Sequence, residues 1–438
     1  MTLPITAKVN MRRHLEIGGC DSVELAREFG TPLYVLDEPT IRERCREYKL
    51  FLATYYPNSE VLYASKALSV VAVLKIIAGK DMGTDITSGG ELLTAVMGGV
   101  DPQKIYFHGN NKTADDIIEA FDAGVGRFVV DSFAEIEYLA RLAKENRKMV
   151  PVLVRVLPGI EAHTHKFIQT GKLDSKFGIP IAQLPKAVRQ INDSGSLEFI
   201  GLHAHIGSQI FKVKPFVALA EKMSDLALDL KKKTGQITRE LNLGGGIGVA
   251  YTASDDPPEI ESYIKGIAQV VKKKLGKMDP KLIIEPGRSI VAQAGVNLYT
   301  VGNIKEVMGP PSPGGLRRAS EKRYAAVDGG MADNIRPVLY GAKYEACVAN
   351  KADLPAKDKV TLVGRFCESG DIVIKDIKLP YLERGDTIAV ACTGAYGYSM
   401  ASNYNRVCKP AMVMVSEGDA RLIVRGETYK ELMQNDIY

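Results

Sequence analysis

Cysteine is scarce in this chain, and what there is lies scattered. Only six of the 438 residues are cysteine (Cys20, Cys45, Cys347, Cys367, Cys392 and Cys408), with no Cys-x-x-Cys pair. That argues against a disulfide framework and for a reduced, cytoplasmic protein. Long apolar runs are missing too. No stretch is long enough to span a bilayer, and Met1 to Arg13 lacks a signal-peptide core, so neither a membrane protein nor a secreted one is expected. Charge of one sign is also in short supply. The 57 basic and 52 acidic residues leave a formal net charge of +5, too small and too scattered to argue for nucleic acid. Even Lys231-Lys232-Lys233 and Lys272-Lys273-Lys274 fall on helix-like runs and read as solvated faces. There is no low-complexity tail, and no repeat beyond the rhythm described next.

What is present is a large apolar content, 45% of residues, enough for two or three domains. Ser22 to Phe29 reads as a short amphipathic helix closed by Gly30, and a helix opens at Pro39. From residue 61, β-rich apolar runs recur, each ending in polar residues or glycine and followed by a helical pattern. Eight are legible: Val61–Ser65, Gly83–Thr87, Ile105–His108, Arg127–Asp131, Val152–Leu157, Phe199–Ile206, Glu240–Leu243 and Leu282–Glu285. Eight βα units imply a (β/α)8 TIM-like barrel, which needs ~250 residues. The expected fold class is therefore α/β, with the barrel over 38–305 and a second, β-rich domain. Short strands from Tyr324 onwards (Lys359–Val363, Thr387–Ala391, Ala411–Val415, Leu422–Arg425) supply that domain. Leu33 to Leu36 is expected to pair with it, making it discontinuous: 1–37 with 306–438.

Barrel active sites lie at the C-terminal strand ends. Those ends carry Lys66, Asp85 with Ser88, His108 with Asn110, Asp131, Arg155, His205 with Ser208, Gly244-Gly245-Gly246, and Glu285 with Arg288. Few of these suit packing. Lys66, in Tyr63-Ala64-Ser65-Lys66-Ala67, is either a structural lysine paired with a carboxylate or an amine that forms a Schiff base, its pKa lowered by partial burial. Gly244 to Gly246 make either a tight turn or a cradle of backbone N–H groups for an anion. The spacing fits neither a dinucleotide fingerprint nor a Walker A loop, so a phosphate within a cofactor suits it better than a nucleotide. In Glu285-Pro286-Gly287-Arg288, the acid and base either pair internally or Glu285 faces a pyridine nitrogen. Two His-x-His pairs, His203/His205 and His163/His165, leave three options: structural histidines, zinc ligands, or an imidazole stacked on a cofactor ring. Cys367, in Gly364-Arg365-Phe366-Cys367-Glu368-Ser369-Gly370-Asp371, is a buried small hydrophobe by default or a general acid if a loop presents it.

Together these stretches resemble the alanine-racemase-like (fold type III) pyridoxal-phosphate decarboxylases, the branch acting on diaminopimelate. YASKA, SGGEL, FHGNNK, SKFGI, HAHIGSQ, LGGGIG, EPGR, DGGMADNIRPVLY, GRFCESGD and GAYGYSMASNYN carry the likeness, over nearly the whole chain. The resemblance implies pyridoxal 5'-phosphate as cofactor, bound through Lys66, with His205 stacked on the ring. It implies that Ser208 and the Gly244–Gly246 backbone hold the phosphate, with Asp85, Gly287, Arg288 and Tyr396 in the same cofactor site, and that Glu285 meets the pyridine nitrogen. Arg288, Arg336, Tyr340, Glu368 and Tyr396 are the implied substrate contacts and Cys367 the implied proton donor. Cys367 and Glu368 come from the partner in a homodimer with shared active sites. No metal and no nucleic acid are implied. The expected reaction is decarboxylation of meso-2,6-diaminopimelate to L-lysine and CO2, the last step of lysine biosynthesis. A decarboxylase of ornithine, arginine or carboxynorspermidine would not need the paired arginines 288 and 336. A metal-dependent barrel hydrolase would not need the GGG and EPGR motifs. A non-catalytic carrier of the cofactor would lack the β-rich domain. The Pro/Gly-rich run at 309–315 is given no role.

Overall fold

The structure, a computed structural model, describes residues 1–160, 176–307 and 322–437. His163, His165 and the Pro/Gly-rich run at 309–315 lie outside them. The described residues form two compact units: 42–249 with 256–289, and 1–41 with 250–255 and 290–438.

The first unit is a closed parallel barrel. Its strands are Ser59–Ala64, Gly83–Ile86, Ile105–Phe107, Arg127–Val130, Val150–Leu157, Leu197–His203, Glu240–Asn242 and Lys281–Ile284. Each pairs in parallel with the next, and Lys281–Ile284 returns to Ser59–Ala64 to close the circle. The strands close this way because both faces of each are apolar: helices cover the outside, and Leu62, Tyr106, Val129, Leu153, Ile200 and Ile283 pack together within. At the strand starts, the Tyr106 hydroxyl (3.0 Å) and Arg127 Nε (3.0 Å) donate to Glu240, so the floor is sealed by a satisfied polar cluster. Local signals set the helix starts. Thr113 and Asp116 form a reciprocal capping box that opens Ala114–Ala123, and Gly124 closes that helix in the left-handed region at φ 75°.

The second unit is built on the long strand Gly295–Val307. Its first half pairs with Leu33–Asp37 and Thr387–Ala391, its second half with Lys322–Val327. Leu33–Asp37 runs parallel to Ala411–Ser416, so the expected pairing of the N-terminal strand with this domain holds. Residues at the start of the chain are part of its core: Leu15, Ile17 and Leu25 pack with Val35, Val296, Leu298 and Val413.

Candidate active site

Several barrel strands stop just short of their chemistry-bearing residue, as before Lys66, His108, Asp131, His205 and Glu285, while Asp85 and Arg155 lie inside Gly83–Ile86 and Val150–Leu157. Lys66 follows the strand Ser59–Ala64 in a single 3-10 turn, Ser65–Ala67. Ser65 and Ala67 are buried, which fixes the turn, but the Lys66 side chain is exposed. The partial burial expected for Lys66 is therefore absent, yet its charge acts on Asp85, His108 and His205, which keeps it at the barrel mouth. Gly287 explains how the EPGR turn comes so close: a Cβ there would lie 2.8 Å from the Ala64 Cβ and 2.9 Å from the Ala64 carbonyl oxygen.

Glu285 is the centre of the charged network. Asn242 Nδ2 donates to its Oε1 at 2.7 Å. His108 Nε2 lies 2.9 Å from Oε1 and His203 Nε2 lies 3.4 Å from Oε2, neither aligned for a full hydrogen bond. Burial works against ionisation of Glu285, but the two histidines outweigh it and hold its carboxyl well below the usual range. Burial also pushes both imidazoles down, His203 to about 4, against the pull of Glu285. Asp85 responds in the opposite direction. Burial first, then the Glu285 charge, push it well above the usual carboxylate range, with Lys66 pulling back. Two carboxyls in one mouth are thus pushed in opposite directions. The internal Glu285–Arg288 pair is not what forms. Arg288 donates instead to Ser208 Oγ, from Nη2 at 2.9 Å and Nε at 3.2 Å.

The glycines form a cradle that a side chain would fill. A Cβ at Gly245 would sit 2.0 Å from the Glu285 carbonyl oxygen, and one at Gly246 (φ 115°) would sit 2.1 Å from that of Gly207. The Gly245 N–H donates to His205 Nδ1 at 3.3 Å, which makes Nδ1 the acceptor and leaves the proton on Nε2. Burial, with Lys66 next, holds the His205 pKa well below its ordinary value, so the ring is neutral and suited to stacking. The two histidines of His-x-His therefore do different things. His108, His203 and Glu285 form a buried trio whose ligand atoms all lie within 4.8 Å of one another, a set that shares only His203 with the expected pairs.

The second unit holds the remaining candidates. Arg336 opens the helix Arg336–Tyr340 and is 6% exposed, yet it pairs with no carboxylate among the described residues. The rings of Tyr251 and Tyr344 lie 4.6 and 5.6 Å from its guanidinium, and Arg336 Nη1 donates to the Tyr344 hydroxyl at 2.5 Å. Arg336 Nε has no partner among the described residues. Cys367 and Glu368 are exposed, which removes the default reading of Cys367 as a buried hydrophobe: it lies in an irregular loop after Asp358–Val363, with its N–H bound to Asn405 Oδ1 at 3.0 Å. Tyr340 is half-buried at the end of its helix, and Tyr396 holds a bulky side chain at φ 61°, a strained geometry that surrounding structure must enforce. Asn242, His108, His203, Tyr251 and Tyr344 were not assigned roles by sequence. Strand-end position marked His108, while nothing local marks Tyr251.

Pyridoxal phosphate carries an aldehyde, a phosphate and a pyridine nitrogen. The barrel mouth presents an amine (Lys66), a side-chain-free glycine cradle beside Ser208 and Arg288, and a buried carboxylate whose Oε2 lacks an aligned donor among the described residues. The donor set fits that group. Residues 38–292 match the family described as pyridoxal-dependent decarboxylase, pyridoxal binding domain. The chain is 44% identical to a diaminopimelate decarboxylase of Bacillus subtilis over 442 residues, covering 100% of this chain and 98% of that one. The solved diaminopimelate decarboxylase from M. jannaschii, in co-complex with L-lysine, superposes with a TM-score of 0.91 at 34% identity, covering 100% of this chain and 99% of that one. That from Helicobacter pylori, complexed with L-lysine, gives 0.85 at 32%, covering 94% of this chain and 98% of that one. Barrel, mouth and match define a pyridoxal-dependent decarboxylase, a carboxy-lyase of fold type III. Within that class the chain belongs to the diaminopimelate decarboxylase family.

Proposed function

We propose that this chain removes one carboxylate of meso-2,6-diaminopimelate to give L-lysine and CO2. The observation that carries this reading is Arg336: a buried guanidinium without a carboxylate partner among the described residues, stiffened by two tyrosines. Burying an unpaired charge is costly. A substrate with a distal carboxylate offsets that cost with a charge-assisted, fork-shaped contact, whereas ornithine or arginine has no such group.

The residue roles follow from their chemistry. Lys66 supplies the amine that holds the cofactor. His205 would pack on its ring, Glu285 would keep its nitrogen protonated, and Gly244 to Gly246 with Ser208 would hold its phosphate. Once bound, pyridoxal phosphate supplies an electron sink for the pair left behind by CO2. Asp85, Gly287 and Tyr396 complete the cofactor site. Arg288, Arg336, Tyr340 and Tyr396 orient the substrate, Glu368 meets its distal ammonium, and Cys367 delivers a proton to the α-carbon. The last two come from the partner of a homodimer. Six free thiols fit a cytoplasmic setting.

Arg336→Ala tests the substrate assignment. Losing a charged contact in a desolvated site costs roughly 2–5 kcal/mol, about 30-fold to several-thousand-fold in kcat/KM. Turnover of diaminopimelate should fall by that much, with the cofactor spectrum unchanged. Unchanged turnover would refute the clamp.

A further inference from the structure

The substrate-site residues of the β-rich unit sit on two segments far apart in sequence. Cys367 and Glu368 lie on 364–371, and Arg336 lies just beyond 329–335. One buried side chain holds both. Asp371, 4% exposed, accepts the Phe366 N–H on Oδ2 at 2.9 Å and the Met331 N–H on Oδ1 at 2.7 Å. Each carboxylate oxygen thus fastens one segment. The backbone repeats the connection: Gly364 N–H donates to the Asp371 carbonyl and Arg365 N–H to that of Gly329, both at 3.0 Å.

Two motif glycines make room for this carboxylate. A Cβ at Gly330 (φ 149°) would lie 2.5 Å from Asp371 Oδ1, and one at Gly364 would lie 2.1 Å from Oδ2. No cation pairs with Asp371 among the described residues, so its charge is committed to backbone amides. The segment toward Arg336 is anchored a second time by Asp333, which accepts the Gly330 N–H at 2.8 Å and the Tyr299 hydroxyl.

We propose that Asp371 is a positioning residue that keeps the Cys367–Glu368 loop and the Arg336 segment in fixed register, so that Arg336 in a subunit's own site and the Cys367–Glu368 pair it lends to its partner's site are set together. This inference rests on the substrate roles proposed above for Cys367, Glu368 and Arg336. The test uses the cofactor-loaded enzyme with Asp371→Ala and Asp371→Asn; the amide keeps the shape and one accepting oxygen. Cofactor content and visible spectrum should match the wild type. For diaminopimelate, KM should rise and kcat fall, roughly tenfold or more in kcat/KM for alanine, with asparagine between alanine and wild type. Amide hydrogen exchange should quicken in 329–335 and 364–370 together. Wild-type kcat and KM in a fully loaded variant, or faster exchange confined to one segment, would overturn the proposal. If the alanine variant fails to load, the asparagine variant decides by the same two readouts. If the wild type proves inactive on diaminopimelate, the proposed function fails, and the coupled exchange alone decides the role of Asp371.

Discussion

A buried carboxylate stays ionised only where its neighbours outweigh desolvation, and Glu285 achieves this with Asn242, His108 and His203. Burial also acts on the histidines, and lowers them although Glu285 pulls the other way. His203 titrates at about 4 in the folded chain against an ordinary 6.5. Between those values the unfolded chain binds a proton that the folded chain excludes, so stability falls as pH drops through this window. The shift amounts to roughly 3 kcal/mol at most for this one group. In His203→Asn, denaturant unfolding at pH 7 and pH 5 should therefore show a smaller acid loss than in the wild type. An equal loss in both would remove His203 from the account. Sequence made Glu285 legible through its Pro-Gly-Arg sequel. It did not reveal Asn242 or His108 as its partners, since neighbours on different strands meet only once the barrel closes.

At the scale of elements, all eight barrel strands were legible because each is a short apolar run stopped by polar residues, and the structure keeps them within a few residues of their expected bounds. The central strand of the second unit, Gly295–Val307, was not. Asn297 interrupts its apolar run, and its polarity is absorbed by contacts no local pattern encodes: Thr393 Oγ1 donates to Asn297 Oδ1 at 2.7 Å, and Asn297 Nδ2 donates to the Tyr299 hydroxyl at 3.0 Å. The exposure of Lys66 was not legible either, since a lysine after a buried strand reads as partly buried, whereas Lys66 is exposed between buried Ser65 and Ala67. The glycine cradle yields a prediction. Gly245→Ala places a methyl 2.0 Å from the backbone oxygen of Glu285, so the backbone must move. Overpacking of this kind costs about 1–3 kcal/mol. A lower melting temperature and a weaker pyridoxal-phosphate Kd, read by titration at the cofactor's absorbance band, should appear together. Native affinity would mean that the cradle does not bind the phosphate.

For the whole molecule, Lys66 belongs to the barrel unit and Cys367 and Glu368 to the β-rich unit, where they are exposed in the single chain. A site shared between subunits, as proposed, has a direct test. Lys66→Ala and Cys367→Ala proteins, each inactive, should regain part of the activity when mixed and allowed to exchange subunits. With exchange verified by mass, no recovery would place both residues in one subunit's site. The central claim is the reaction itself, and one assay reads it directly. Purified protein with pyridoxal phosphate is given meso-diaminopimelate, ornithine, arginine or lysine in parallel, and CO2 and amine products are followed by mass spectrometry. The account predicts equimolar CO2 and L-lysine from diaminopimelate, with the other three scarcely consumed. Faster loss of CO2 from ornithine, or no lysine from diaminopimelate, would contradict it.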